Sequence, residues 1–284
     1  MIIVITGPTG VGKTKMSIEL AKKYDGIVIN ADSMQVYKDL NVGTAKIKEE
    51  EKENIPHLLF DIVSPTEMYT VYDYQKDLRK LLNDYKNKNI IIVGGTGLYI
   101  KAALYDYEFK EENNNNLFEE LSNEELFLKV KERYPNIDVH INNRKRLVRL
   151  LNKEGTSNNG NNLLYDAIFI GLTTDRATLY DNINLRVDKM FEEGLLEEVK
   201  SLYDRKIYGK AISTGIGYKE LYDYFDGKIS LDEARELIKK RSRHYAKRQY
   251  TWFNNQMNIK WFNVNFNDFR KTIKEIEEYI DDKR

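Results

Sequence analysis

The clearest chemical pattern in this 284-residue sequence lies close to its start. Residues 7–14 read Gly-Pro-Thr-Gly-Val-Gly-Lys-Thr, which fits the phosphate-loop pattern G-x-x-x-x-G-K-[ST] of ATP-binding and other nucleotide-binding proteins. In such a loop, glycines let backbone N–H groups turn toward an anion, the lysine reaches a terminal phosphate, and the last hydroxyl can bind Mg²⁺. The pattern therefore predicts a phosphate site formed by Gly7, Pro8, Thr9, Gly10, Val11, Gly12, Lys13 and Thr14.

The elements on either side of this loop support the prediction. Ile2 to Ile5 is a short β-branched run typical of a buried parallel strand, and a helix is expected from Lys13 to about Lys23. Further strands are predicted at residues 27–30, 57–63, 90–93 and 167–172, with a helix at 71–85. Strands that alternate with helices predict an α/β fold, a P-loop-type parallel sheet flanked by helices.

Two asparagine-rich segments, Asn113–Asn116 and Asn158–Asn162, interrupt this alternation. The first opens a helical stretch, residues 117–133, that we interpret as a small all-helical insertion. We therefore divide the chain into a first core part (1–111), the insertion (112–142), and a second core part with a helical C-terminal region (143–284). The end of the chain, residues 269–284, is predicted to be an amphipathic helix.

Ligands of parallel sheets gather at the carboxyl ends of the strands, so the residues that follow each strand matter most. Asp32 follows the second strand and is expected to face the phosphate loop, where a carboxylate could bind Mg²⁺ or accept a proton. The alternative is that Asp32 caps the next helix. Thr96 lies in a tight glycine-rich turn after the fourth strand. Asp61 could lie at this edge or be buried within the third strand, and His57 is interpreted as a structural histidine near a strand start.

Composition excludes several classes of site. With no cysteine, the chain has no disulfide framework, Fe–S cluster, thiolate zinc site or cysteine nucleophile, and three scattered histidines make a histidine metal centre unexpected. The start resembles no secretion signal and no apolar run approaches a membrane span, so a cytoplasmic protein is expected. Lys plus Arg and Asp plus Glu are 45 each, so a nucleic-acid site would need local clustering of basic residues.

Two basic stretches break the neutral average. The first is Arg144, Lys145, Arg146, Arg149 and Lys153; the second is Lys239, Lys240, Arg241, Arg243, Lys247 and Arg248, with Tyr245, Tyr250, Trp252 and Phe253 among or beside them. Basic side chains can neutralise phosphates while aromatic rings stack on bases. Each stretch could equally be a solvated helix face, so the composition leaves a polyanionic partner and a plain surface both open.

Five sequence blocks together resemble one family. They are the phosphate loop, Asp32-Ser33-Met34-Gln35-Val36-Tyr37 with Gly43-Thr44-Ala45-Lys46 after it, Gly94 to Tyr99, Gly215-Ile216-Gly217-Tyr218-Lys219-Glu220, and Tyr245 to Phe253. In this order they resemble the bacterial type of the tRNA dimethylallyltransferase (tRNA isopentenyltransferase) family. The chain departs from the family pattern at Phe118 and Asn254, where arginine is usual, and at Ser242, where threonine is usual.

The resemblance implies a reaction. It implies transfer of a dimethylallyl group from dimethylallyl pyrophosphate to N6 of the adenosine 3′-adjacent to the anticodon of tRNA (position 37), with release of pyrophosphate. The N6 amine is a weak nucleophile because its lone pair is delocalised into the purine, so a base and stabilisation of the leaving pyrophosphate are both needed. The target base would also have to leave the anticodon-loop stack.

The resemblance also assigns roles to residues. Asp32 would be the base, while Lys13, Thr14 with Mg²⁺, Thr96 and Arg243 would stabilise pyrophosphate. The insertion would grip the anticodon stem-loop of tRNA, and the protein is expected to be a monomer. Contacts to tRNA would come from Asp32, Ser33, Met34, Gln35, Lys145, Arg146, Leu147, Val148, Arg149, Lys247 and Arg248.

Three other functions remain possible from the sequence. A P-loop small-molecule kinase would use the same loop but would leave both basic stretches unexplained. An adenylate (cytokinin-type) isopentenyltransferase would keep the chemistry and use a free nucleotide as acceptor, without an RNA grip. A non-catalytic RNA-binding module would have no use for Lys13, Thr14 and Asp32 together.

Overall fold

The computed structural model describes residues 1–109, 118, 120–152 and 159–284. These residues form two compact units, one of residues 1–104 with 163–284 and the other of residues 105–162. The segment Asn113–Asn116, together with Leu117, Lys153 and Asn158, lies outside the described residues. The smaller unit contains the predicted 112–142 insertion and extends beyond it on both sides.

The described strands form two sheets. A six-stranded sheet has the order β3-β2-β4-β1-β7-β8 and a two-stranded sheet pairs β5 with β6. In chain order the strands are β1 (Ile2–Thr6), β2 (Gly26–Asn30), β3 (His57–Leu58), β4 (Asn89–Val93), β5 (Tyr105–Tyr107), β6 (Asn159–Leu163), β7 (Ala167–Thr173) and β8 (Lys260–Asn263).

The described helices follow the same chain order. They are α1 (Lys13–Tyr24), α2 (Val71–Asp84), α3 (Gly97–Leu104), α4 (Asn123–Arg133), α5 (Arg144–Leu151), α6 (Arg176–Glu192), α7 (Leu195–Asp204), α8 (Lys210–Thr214), α9 (Tyr218–Phe225), α10 (Leu231–Gln256) and α11 (Phe269–Asp281). A short 3₁₀ helix spans Glu49–Lys52. Among the described helices, none is both long enough and apolar enough to cross a bilayer.

Every pairing in the six-stranded sheet is parallel, and β1 lies inside it. Ile3 is opposite Ile91 on one side and Ile168 on the other. Ile3 and Ile5 have no solvent exposure, since helices cover both faces of a parallel sheet, and they share a core with residues of α1, α6, α10 and α11. The predicted P-loop-type parallel sheet flanked by helices is confirmed.

The third strand is much shorter than predicted. It was expected at residues 57–63, whereas β3 contains only His57 and Leu58. Leu59 and Asp61 have φ values of 62° and 53°, in the left-handed region that ends an extended strand. The amide of Ile62 then donates to the carbonyl of Val36 instead of joining the sheet.

The smaller unit has its own core. Leu126 and Val130 of α4 pack with Leu147 of α5, and all three are fully buried.

In the larger unit, the chain leaves after Leu104 and has returned by Leu164. The amide of Leu164 donates to the carbonyl of Leu104 at 2.8 Å, so these points are adjacent.

Candidate active site

The phosphate loop connects β1 to α1. Gly12 precedes α1 with φ 87°, a left-handed conformation that glycine adopts without strain. Gly12 has no side chain that could cap α1, and no described side chain accepts from the first N–H groups of this helix, so they remain available to an anion. At Gly7, a Cβ atom would lie 2.4 Å from the carbonyl oxygen of Leu172, so only glycine fits against β7.

Lys13 and Thr14 open α1 at the mouth of this loop. The Lys13 ammonium donates to the carbonyl of Pro8 at 2.6 Å. Burial removes water from the ammonium and lowers the pKa of Lys13 to about 7; the nearby charge of Arg186 lowers it further, and Asp32 opposes both effects. Thr14 is exposed, and its hydroxyl has no hydrogen-bond partner within the described residues.

One cavity of about 380 Å³ brings together residues of the phosphate loop and the segment that begins at Asp32. Its walls come from the phosphate loop, the segments 32–35, 43–45 and 214–218, and the helices α6 and α10. Asp32, Ser33, Met34 and Gln35 all line it, beside Lys13. The sheet edge therefore joins the phosphate loop to the acidic segment, as expected for the carboxyl ends of parallel strands.

Asp32 is held by its backbone. Its amide donates to Asn30 Oδ1 at 2.8 Å, and Asn30 Nδ2 donates back to the Asp32 carbonyl at 3.0 Å. Its Oδ1 accepts from the amide of Met34 at 2.9 Å, within a turn and not at the start of a helix, so Asp32 is not a helix cap. Oδ2 has no hydrogen-bond partner in the described part of the chain, which leaves it able to accept a proton.

Two predicted pyrophosphate contacts have protein partners. The Thr96 hydroxyl accepts from the amide of Ser33 at 3.0 Å and donates to its hydroxyl at 3.3 Å. Arg243 donates to Asn184 Oδ1 at 2.6 Å. Neither Thr96 nor Arg243 is among the described residues that line the cavity, so their contacts with pyrophosphate stay predictions.

Arg186 is a cavity cation that the sequence analysis missed. It lines the cavity from α6, and its Nη2 donates to the carbonyl of Thr44 at 3.3 Å. Burial lowers the pKa of Arg186, while Asp32 acts in the opposite direction. A signal was present in the sequence: Arg186 shares the apolar face of α6 with Ile183, Val187 and Met190, where an unpaired cation is unusual.

Gln249, also missed, joins two loops of the site. This α10 side chain is only 5% exposed; its Oε1 accepts from the amide of Thr9 at 3.2 Å, and its Nε2 donates to the carbonyl of Gly95 at 3.0 Å. The neighbouring Arg248 and Lys247 are exposed, as an RNA contact requires. The Arg248 guanidinium lies over the ring of Tyr245, 5.5 Å from its centre.

The first basic stretch forms α5. Lys145, Arg146 and Arg149 are exposed along this helix and Val148 is half-buried. Leu147 is fully buried against α4, so its side chain is not available to RNA in this structure. Arg144 is structural in part, because it donates to the carbonyl of Leu121.

Asp61 and His57 differ in their relation to the cavity, because only His57 lines it. Asp61 is exposed and pairs with Lys46 at 2.5 Å, and it is not among the described residues that line the cavity. His57 lines the cavity; its Nδ1 lies 2.7 Å from the carbonyl of Ile55, while Nε2 is buried without a hydrogen-bond partner in the described residues. Within the described residues, no group of three His, Asp or Glu side chains forms a metal site.

Known proteins share this fold and much of this sequence. The IPP transferase family model matches residues 35–256. The chain is 46% identical to a tRNA dimethylallyltransferase of Anoxybacillus flavithermus and 45% identical to one of Geobacillus thermodenitrificans, over 99% and 98% of this chain and 96% of each relative.

Solved structures with a similar fold have the same kind of name as these relatives. The full-length tRNA isopentenylpyrophosphate transferase of Bacillus halodurans superposes with a TM-score of 0.79 at 40% identity, over 99% of this chain and 96% of that one. A eukaryotic dimethylallyltransferase acting on tRNA superposes with a TM-score of 0.78 at 29% identity, over 92% of this chain and 73% of that one. The chain belongs to the IPP transferase family.

Proposed function

We propose that this enzyme transfers a dimethylallyl group from dimethylallyl pyrophosphate to N6 of adenosine 37 in tRNA, releasing pyrophosphate. One observation carries the proposal: Lys13 and Arg186 line the same cavity as the carboxylate of Asp32. Two cations and the start of α1 suit a pyrophosphate, and a carboxylate suits the proton of an amine. The names of the relatives support the same reaction.

The donor would bind through its pyrophosphate. The uncapped N–H groups of α1 and the charges of Lys13 and Arg186 attract the anion. As the bond between C1 of the dimethylallyl group and oxygen breaks, negative charge grows on the leaving pyrophosphate, and the same groups stabilise it more strongly.

The acceptor would react at its exocyclic amine. A bond forms between N6 of adenosine and C1 of the dimethylallyl group, and the amine becomes cationic as it loses its lone pair. Asp32 then accepts one N6 proton, for which Oδ2 is available. The hydrogen bond from the Met34 amide holds the carboxylate, while the paired hydrogen bonds with Asn30 hold the Asp32 backbone throughout the step.

Mg²⁺ fits the oxygen groups at the mouth of the loop. Mg²⁺ prefers oxygen ligands, and the exposed Thr14 hydroxyl and the oxygens of a bound pyrophosphate would supply them. Substrate phosphates commonly complete a Mg²⁺ site, because protein groups alone seldom hold this ion. When bound, Mg²⁺ would neutralise charge on the pyrophosphate.

The acceptor RNA would meet the protein at the cavity, at α10 and at α5. Ser33, Met34 and Gln35 line the cavity beside Asp32, where an adenine flipped out of the anticodon loop would lie. Lys247 and Arg248 on α10, with Lys145, Arg146 and Arg149 on α5, would contact phosphates and hold the stem-loop. We propose that the enzyme acts as a monomer in the cytoplasm.

The alternatives predict other products. A P-loop small-molecule kinase would phosphorylate an acceptor with ATP, and a cytokinin-type enzyme would prenylate AMP or ADP. The relatives at 45–46% identity over nearly the whole chain favour tRNA as the acceptor. The catalytic residues Lys13 and Asp32 in one cavity argue against a module that only binds RNA.

Label transfer tests the proposal directly. Radiolabelled dimethylallyl pyrophosphate and Mg²⁺ are incubated with unmodified tRNA, and separately with AMP and ADP. Label in tRNA, located at adenosine 37 by nuclease mapping, is the expected result. Label in the free nucleotides alone would reassign the acceptor, and no label with ATP-dependent phosphorylation of a small molecule would establish the kinase.

A further inference from the structure

The Glu198 side chain, on α7, accepts hydrogen bonds from the backbone of the loop at residues 41–43. One oxygen, Oε2, accepts from the amides of Asn41 and Val42 at 2.9 and 2.7 Å, and Oε1 accepts from the amide of Gly43 at 3.0 Å. Three consecutive N–H groups therefore converge on one carboxylate. An ionised acceptor makes such hydrogen bonds roughly twice as strong as neutral ones, so the position of this loop depends on the charge of Glu198.

Tyr218 completes this arrangement. Its hydroxyl donates to Glu198 Oε1 at 2.7 Å, and its ring packs on Gly43, where a Cβ atom would lie 2.6 Å from the Tyr218 hydroxyl oxygen. Tyr218 and Gly43 belong to two of the sequence blocks, Gly215 to Glu220 and Gly43 to Lys46, for which the proposed reaction gives no role. Any larger residue at position 43 would therefore clash with the Tyr218 ring.

The other side of the loop forms a wall of the cavity. Thr44 and Ala45 line it, and the carbonyl of Thr44 accepts from Gln35 Nε2 at 3.0 Å and from Arg186 Nη2 at 3.3 Å. This one carbonyl thus sets the position of a cation and of an amide that both face the site. It is joined to Glu198 through the adjacent residue, Gly43.

We propose that Glu198 is a positioning residue, which places the Thr44 carbonyl so that Arg186 is aimed at the pyrophosphate. Glu198 is not among the described residues that line the cavity, so it acts through the loop and not on the substrate. The proposal rests on the proposed function only for the identity of the donor. Binding of inorganic pyrophosphate tests it without catalysis.

A double-mutant cycle separates positioning from general stability. Glu198→Gln keeps the size of the side chain but removes its charge and directs an amide N–H₂ at backbone donors. We expect pyrophosphate affinity, measured by calorimetry, to fall about tenfold, as small misplacements of a binding group do. In an Arg186→Gln background the same change is expected to have less than about a twofold effect, because coupled residues are non-additive.

The control is Glu197→Gln, the exposed neighbour on α7, which is expected to leave affinity unchanged. Equal losses from Glu198→Gln in both backgrounds, or no loss in either, would overturn the proposal. If Glu198→Gln does not fold, Tyr218→Phe removes one of the four hydrogen bonds, and it must weaken pyrophosphate binding in the same Arg186-dependent way.

Transfer kinetics give a second readout. Glu198→Gln is expected to raise KM for dimethylallyl pyrophosphate more than it lowers kcat, and to leave KM for tRNA nearly unchanged; an effect on tRNA alone would contradict the proposal. A wild-type protein that binds pyrophosphate but transfers no label would reject the proposed function while leaving the binding cycle to decide the role of Glu198.

Discussion

Burial lowers the pKa of Lys13, and the nearby charge of Arg186 lowers it further. Both side chains line one cavity, and each donates to a backbone carbonyl, Lys13 to Pro8 and Arg186 to Thr44. Within the described residues, neither forms a salt bridge within 4 Å. The attraction of Asp32 for Lys13 is smaller than the repulsion from Arg186, so the two cations keep an unfavourable interaction that a bound pyrophosphate would reverse.

Pyrophosphate binding is therefore expected to take up a proton. The pKa of Lys13, about 7 in the free protein, lies below its unfolded value, so at pH 8 the side chain is mostly neutral. A bound anion favours the charged form and raises this pKa, which predicts uptake of roughly one proton per site and an affinity that falls as pH rises above 7. Calorimetry at pH 8 in buffers of different ionisation enthalpy measures the uptake.

Lys13→Gln is the control for this measurement. The protons that this variant takes up on binding come from changes in the ligand and in groups other than Lys13. The difference between its uptake and that of the wild type is therefore the contribution of Lys13. Equal uptake by the two proteins would show that Lys13 keeps the same protonation state when pyrophosphate binds, which would contradict the prediction.

Asp32→Asn is expected to remove transfer while keeping the site intact. The amide oxygen can still accept from Met34, but the side chain no longer accepts the N6 proton. We expect the single-turnover rate of label transfer to fall by about 10²- to 10⁴-fold, the usual contribution of a general base. Binding of dimethylallyl pyrophosphate should be equal or tighter, because a negative charge is lost from the cavity; a near-normal rate would show that another group takes the proton.

Arg186→Gln is expected to weaken binding of dimethylallyl pyrophosphate more than binding of tRNA. Loss of a charged hydrogen-bond donor to pyrophosphate predicts a rise of about 10- to 100-fold in KM for dimethylallyl pyrophosphate. Arg176→Gln, an exposed change on the same helix, provides the comparison. Steady-state kinetics with each substrate varied in turn measure both constants, and a change in KM for tRNA alone would place Arg186 on the RNA side.

The α5 surface is expected to contribute salt-dependent affinity for tRNA. Lys145→Gln with Arg146→Gln removes two exposed charges, which predicts weaker binding and a salt slope smaller by about 1 to 2, since each neutralised phosphate contributes close to one unit. Filter binding between low and moderate salt measures the slope. The paired change Lys271→Gln with Lys274→Gln on α11 matches the charge difference, and an equal effect from it would mean that α5 has no specific role.

The parallel sheet and the phosphate loop were predictable because their signals are local. Buried strands such as β1 are continuous apolar runs, and the loop has fixed spacing between its glycines and Lys13. The place of Asp32 beside the phosphate loop followed from the rule that parallel strands share a carboxyl edge. Strand β8 was missed because Lys260–Asn263 is short, polar at both ends and paired on one side only.

The missed site residues depend on contacts distant in sequence. Gln249 reaches Thr9 across 240 positions, and Glu198 reaches Gly43 across 155. Their residue types carry no pattern of their own, so only the folded chain identifies them. Arg186 is the exception, because its place on the apolar face of α6 could have been noticed from helical periodicity alone.

The hydrogen bond between Leu164 and Leu104 makes residues 105–162 an insertion whose two ends are adjacent. Among the described strands, β5 and β6 pair with each other and with no strand of the large sheet, so exchange of the whole segment would leave the strand order of that sheet unchanged. An insertion with adjacent ends is also easily gained in evolution, because it needs no rethreading of the chain. Grafts at residues 104 and 164 are thus expected to leave the strands that hold the phosphate loop and Asp32 in their present order.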